Sequence, residues 1–240
     1  MDLTGKTAVV VGAGRGIGRK TAELFAEAGA NVVISSRNEA ELMELEYKLR
    51  NAGASDVLAR AADASDASEA DMLIRGAVER FGSIDFLVIT AGLGILKPFE
   101  ELTESDLDAS ISANTRTAFN SLKAALPRMK EQGHGRVIAI PGVLGKAPMM
   151  NASAYCASKY ALTGLVKCLK DEYGRFGIRF SLMHFGGVDS TFWDGVSMRV
   201  DRSKMLTVDA AAKAVFFAAT QNGEGVMSEM VLLPESHQIV

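Results

Sequence analysis

Two stretches of the chain hold residue types whose spacing can do chemistry. In Ser153-Ala154-Tyr155-Cys156-Ala157-Ser158-Lys159 a phenol and an ammonium stand four residues apart, so on a helix they share a face. A free tyrosine titrates near ~10 and is a poor base at neutral pH. A neighbouring ammonium favours the phenolate and is expected to lower that value. Such a pair can give a proton to a carbonyl oxygen, or take one from an alcohol, while a hydride moves at the adjacent carbon. Alone, the spacing describes an ordinary helix face. The second stretch, Val11-Gly12-Ala13-Gly14-Arg15-Gly16-Ile17-Gly18, supplies the context. It follows the apolar run Thr7–Val11 and leads into Arg19–Phe25, whose apolar residues recur at helical spacing. Strand, glycine turn and helix in that order form a dinucleotide-binding device. Gly12 permits a bend that a Cβ forbids. Gly16 or Gly18 lets backbone approach a pyrophosphate. The N–H groups opening the helix, around Gly14, Arg15 and Ile17, favour its negative charge.

The end of the second strand selects between dinucleotides. An acidic residue there would hold a ribose 2′-hydroxyl and favour NAD(H). This chain has Ser35-Ser36-Arg37 instead. Arg37 can grip a 2′-phosphate in bidentate fashion, with Arg15 pressing on the same group, so NADP(H) is expected over NAD(H). The plain reading of both arginines is solvated surface charge.

These groups need a scaffold, and the remaining pattern provides one. Strands are expected at Asn31–Ser35, Val57–Ala61, Ile84–Thr90, Arg136–Ile140, Ile178–Phe185 and Met230–Leu233, separated by helices. Asn38 and Glu41 suggest a capping box. One helix should run from about Glu69 to Phe81, another from Thr103 to about Glu131 with Pro127 bending or interrupting its end, and a third from Ala152 to Phe176. Thr207 should cap the last, ending near Thr220. Alternating strands and helices imply an α/β fold: a single-domain, doubly wound parallel sheet of about seven strands with helices on both faces, binding ligands beyond its carboxyl edge.

Bulk properties narrow the function. In 240 residues, 48% are hydrophobic and the formal charge is −3, which supports a packed core and argues against a nucleic-acid surface. No apolar run approaches the ~20 residues of a membrane span. Asp2 follows Met1 and the first strand begins almost at once, so no signal peptide is expected. Cys156 and Cys168 are expected to be free, consistent with the cytoplasm. No His, Cys or carboxylate cluster has metal-ligand spacing. His184 is expected to be bonded to backbone at a strand end, and His134 and His237 to face solvent.

With these motifs in view, the chain resembles the short-chain dehydrogenase/reductase family over essentially its whole length. The resemblance implies that Tyr155 and Lys159 are its catalytic pair and that Asn114 supports its proton relay. It implies that Asp63 lies beside the adenine, that Thr90-Ala91-Gly92 stands at the Asn-Ala-Gly segment, and that Gly186, Val188 and Thr191 hold the carboxamide. Ser190–Met205 is similar to the family's substrate loop, placed at about residues 190–206. Phe192, Trp193 and Met198, with Leu93, Met149 and Met150, could line an apolar pocket for a non-polar ketone, acyl or ring substrate, or pack against the body or a neighbouring subunit. A small carbonyl or alcohol substrate and a homodimer or homotetramer are likewise implied.

One departure stands out. The family's catalytic serine follows the fifth strand; here that region reads Ile140-Pro141-Gly142-Val143-Leu144-Gly145, with Gly142 at the expected position. Losing one such donor typically costs ~10²–10³ in rate. Ser153 or Asn151 could supply the bond, the substrate could bring its own polar group, or the protein could bind NADP(H) with little turnover.

Overall fold

The computed structural model describes residues 1–196, 200–222 and 225–236. Its strands are β1 (Thr7–Val11), β2 (Asn31–Ser36), β3 (Asp56–Ala61), β4 (Phe86–Ile89), β5 (Gly135–Ala139), β6 (Ile178–Phe185), β7 (Val188–Asp189), β8 (Leu206–Thr207) and β9 (Glu229–Leu232). The helices are α1 (Gly16–Glu27), α2 (Glu39–Ala52), α3 (Ala67–Phe81), α4 (Glu104–Ile111), α5 (Thr117–Gln132), α6 (Ser153–Tyr173) and α7 (Val208–Thr220). Seven strands form one parallel sheet in the order β3-β2-β1-β4-β5-β6-β9, and β7 pairs with β8 outside it. This is the doubly wound α/β sheet expected from the alternation of elements.

All five residues of β1 are buried because both sheet faces are covered. Ala8 and Val10 enter one apolar layer with Phe25, Leu45 and Val215; Val9 and Val11 enter the other with Leu73, Leu122 and Leu162. Phe25 packs between Phe86 and Phe216, at ring-centre distances of 5.1 and 5.2 Å. The strand order reverses between β1 and β4, which opens a crevice at the carboxyl edge of the sheet.

The helical region after Thr103 differs from expectation. Thr103 and Asp106 form a reciprocal capping box, but α4 ends at Ile111. A π-helical turn, Ser112–Arg116, intervenes before α5. Pro127 lies inside α5, which continues to Gln132. The interruption therefore sits in the middle of the region rather than at the proline.

Candidate active site

A cavity of about 1120 Å³ lies along this edge. The turn after β1 forms one wall. Gly12 has φ +90°, and a Cβ there would fall 2.5 Å from the Ala91 amide nitrogen. Turn and β4 end therefore touch. The Thr90 hydroxyl, 2.9 Å from Val11 O and 3.0 Å from Gly12 O, donates across this contact. Arg15 caps α1 without any side-chain bond, so the first-turn amides have no side-chain acceptor. At the end of β2, Ser36, Arg37, Glu39 and Glu41 border the same space. Asn38 caps α2 through Ala40 N and Glu41 N, but the expected capping box is only half formed. The Asn38 amide donates to Ser36 Oγ at 3.2 Å, and the Glu41 carboxylate turns toward Gly14 instead. Bonds from Ser65 and, more weakly, the charge of Arg37 hold the Asp63 carboxyl below its usual range. Uncapped amides beside Arg15 at one end and Arg37 at the other fit the phosphates of a dinucleotide.

The other half of the cavity is built on α6. Lys159 is 5% exposed and donates to Ile140 O at 3.0 Å. Its Nζ lies 5.6 Å from the ring centre of Tyr155, which borders the cavity. The expectation of an acidified phenol fails here. Burial, with a smaller effect of Cys156, pushes the Tyr155 phenol up, and burial pushes the Lys159 ammonium down to about 8, because removal from water disfavours either charged form. Asn114, 1% exposed, stands behind the wall in the π turn. Its amide nitrogen reaches Leu93 O (2.8 Å), Ser110 O (2.9 Å) and Ser158 Oγ (3.1 Å), and its oxygen accepts from Leu93 N. Ser158 in turn donates to Tyr155 O at 2.7 Å. One amide thus joins the β4 loop, the π turn and the helix bearing Tyr155 and Lys159.

The loop after β5 carries no hydroxyl at Gly142, and its backbone explains why a serine would sit badly there. Gly142 has φ 69° and ψ 175°, a combination confined almost wholly to glycine. A Cβ would meet only Phe185 O, at 3.7 Å, so the obstacle is backbone strain and not space. The Gly142 carbonyl accepts from Gly145 N at 3.1 Å and contacts Nδ1 of fully buried His184 at 2.9 Å, which places the ring proton on Nδ1. The backbone bond expected of this histidine is present. The two candidates for replacing the serine do not border the cavity: Asn151 and Ser153 are both exposed. Met150, 84% exposed, is also absent from the cavity wall, whereas Leu93, Met149, Phe192 and Trp193 line it. Met198 and His237 lie outside the described residues.

Beyond β6 the chain folds over Tyr155. The rings of Tyr155 and Phe192 are 5.9 Å apart and inclined by 35°; Trp193 meets Phe192 edge-on at 5.0 Å. Trp193 donates to Val188 O. Arg202 joins both ends of the segment, bonding Asp189, Asp194 and Ser190 O.

Comparison with known proteins shows the family and supports the fold. The family model for short chain dehydrogenase matches residues 6–200. The chain belongs to the short-chain dehydrogenase family. It is 32% identical over 239 residues to a sepiapterin reductase of Chlorobaculum tepidum, covering 96% of this chain and 97% of that one. An alcohol dehydrogenase of the archaeon Thermococcus sibiricus, complexed with 5-hydroxy-NADP, superposes with a TM-score of 0.89 at 27% identity, covering 97% of each chain. A metagenomic short-chain oxidoreductase in complex with NADP gives 0.84 at 30% identity, covering 97% of this chain and 98% of the other.

In this short-chain dehydrogenase the residues singled out for the nucleotide converge on one space. Gly12, Gly14–Gly18, Ser36, Arg37, Asp63, Ala91, Gly92, Gly186, Val188 and Thr191 all border the cavity, together with Tyr155 and Lys159. Asn114 is the exception, one layer back. The cavity also takes in Ser112, Ala113 and Thr117 from the π turn and α5, and Glu39 and Glu41 from α2. The first three had no local signal, since their stretch reads as uninterrupted helix. The two glutamates were visible only as the start of a capped helix.

Proposed function

We propose that this protein interconverts a carbonyl compound and an alcohol with NADP(H), with Tyr155 as general acid/base. The observation that carries the proposal is the meeting, in one cavity, of the α1 N-terminus, Arg37 and Tyr155. The glycine turn would hold the pyrophosphate, Asp63 the adenine side, Arg15 and Arg37 a 2′-phosphate, and Gly186, Val188 and Thr191 the carboxamide. When bound, the nicotinamide exchanges a hydride with the carbon undergoing reaction. In reduction, Tyr155 gives its proton to the carbonyl oxygen and becomes phenolate; Lys159 stabilises that anion. Asn114 keeps the two side chains in register through Ser158. The NADP-complexed relatives support the choice of cofactor. A protein that binds NADP(H) with little turnover is the second reading, favoured by the missing hydroxyl at Gly142. We further infer a homo-oligomer from Leu107, Phe119 and Phe217, which are large, apolar and exposed on α4, α5 and α7.

Nicotinamide absorbance, followed over ketones and alcohols with either cofactor, tests the proposal. Turnover favouring NADPH and abolished by Tyr155→Phe is expected. Arg37→Asp should shift preference toward NADH. Tight NADPH binding without turnover would establish the second reading instead.

A further inference from the structure

We propose that the carbonyl substrate is an uncharged ring compound, seated beside Phe192 against Leu93, Leu96, Val143, Leu144 and Met149. The inference deepens the oxidoreductase reading and rests on it.

Charge around the cavity is segregated. Arg15, Arg37, Glu39, Glu41 and Asp63 all belong to the glycine turn and to the segments following β2 and β3. Around Tyr155 the described wall is aliphatic and aromatic with a few hydroxyls, holds no carboxylate, and has one cation, Lys159, which donates to Ile140 O. A carboxylate or phosphate placed there would leave water with no ionic partner among the described residues except Lys159, which the Tyr155 phenolate requires. An uncharged compound avoids that penalty and buries its surface against apolar side chains.

Shape gives the second half of the argument. Phe192 is tilted over Tyr155 at a spacing of 5.9 Å, within the range where flat rings pair. It reaches this place because residue 94 is glycine: a Cβ on Gly94 would collide with the Cζ–Cε2 edge of the Phe192 ring. Recess and projection are matched between Gly94 and Phe192, and since Phe192 lines the cavity this makes it the specificity-determining residue. The reaction balances with any such ketone. The hydride adds to carbon, the π pair moves to oxygen, and oxygen takes the Tyr155 proton, leaving the ring unchanged.

NADPH oxidation by the full chain, with acetophenone, 4-acetylbenzoate, its methyl ester and butanone, tests this. The acid and its ester carry the same reacting carbonyl and differ in charge. The acid should show a kcat/KM lower than the ester's by roughly 10²-fold or more. Phe192→Ala should raise KM for acetophenone roughly 3- to 10-fold and change that for butanone by less than about twofold. Gly94→Ala should reproduce this loss in the wild type and add nothing in the Phe192→Ala background, because the two changes displace one ring. Equal turnover of acid and ester, or an equal effect of Phe192→Ala on both ketones, overturns the inference. If the acid is reduced and that activity vanishes in Tyr155→Phe, the substrate class is wrong while the oxidoreductase reading stands. No oxidation with any of the four defeats both.

Discussion

Gly142 shows how one residue carries two messages. Its missing side chain removes a hydrogen-bond donor, and its backbone angles resist putting one back. Gly142→Ser is therefore expected to lower stability by about 1–3 kcal/mol without a large gain in rate, because the loop must first leave a conformation that serine disfavours. Urea denaturation beside single-turnover rates would show this; a serine variant of native stability and much higher rate would refute it. Tyr155 and Lys159 make a second prediction at this scale. Burial keeps the phenol protonated at neutral pH and leaves Lys159 titrating at about 8. In the proposed mechanism reduction needs the phenol as donor and the ammonium to stabilise the resulting phenolate. Its kcat/KM should thus be flat below pH of about 8 and fall above it as Lys159 loses its proton, while alcohol oxidation, which needs phenolate, should quicken with rising pH. Lys159→Arg, whose charge persists, should move the falling limb to higher pH. The presence of this pair was legible in the sequence from spacing alone. The direction of its titration was not, because desolvation depends on Ile140 and the cavity wall, which are distant in the chain.

Elements differ in how plainly their residues announce them. The glycine turn, the Asn38 cap and the Thr207 cap were readable because each is a local bargain between a side chain and nearby amides. The π turn was not. Ser112-Ala113-Asn114-Thr115-Arg116 contains no glycine or proline, and its widened loop is stabilised by tertiary bonds from Asn114 to Leu93 and Ser158. Such single-turn insertions occur often at functional sites. The segment joining β7 to β8 is instead clasped by one of its own residues, Arg202, which bonds Asp189, Asp194 and Ser190 O. Arg202→Ala should raise KM for ketones by roughly two- to fivefold, the scale of exposed ion pairs, and leave NADPH affinity unchanged. Steady-state kinetics with a separate nucleotide titration would separate the two effects. A loss confined to NADPH affinity would show that this clasp serves the nucleotide instead.

At the scale of the molecule, the α/β alternation dictates where ligands collect, and the structure places the cavity there. What surrounds the molecule follows from its exposed apolar residues. Leu107 and Phe119 lie on α4 and α5, while Phe217 and Val231 lie on α7 and β9. If both faces are subunit contacts, Phe119→Glu should reduce the assembled mass in sedimentation velocity by disrupting one of them, and a second change, Phe217→Glu, should reduce it further. A wild type that sediments as a monomer would disprove the inferred assembly. One feature of the cavity gives the protein an optical handle. Trp193 is the chain's single tryptophan, 7% exposed and edge-on to Phe192. All indole emission therefore originates at the cavity wall, and stopped-flow fluorescence of the unlabelled wild type can time the filling and emptying of the cavity.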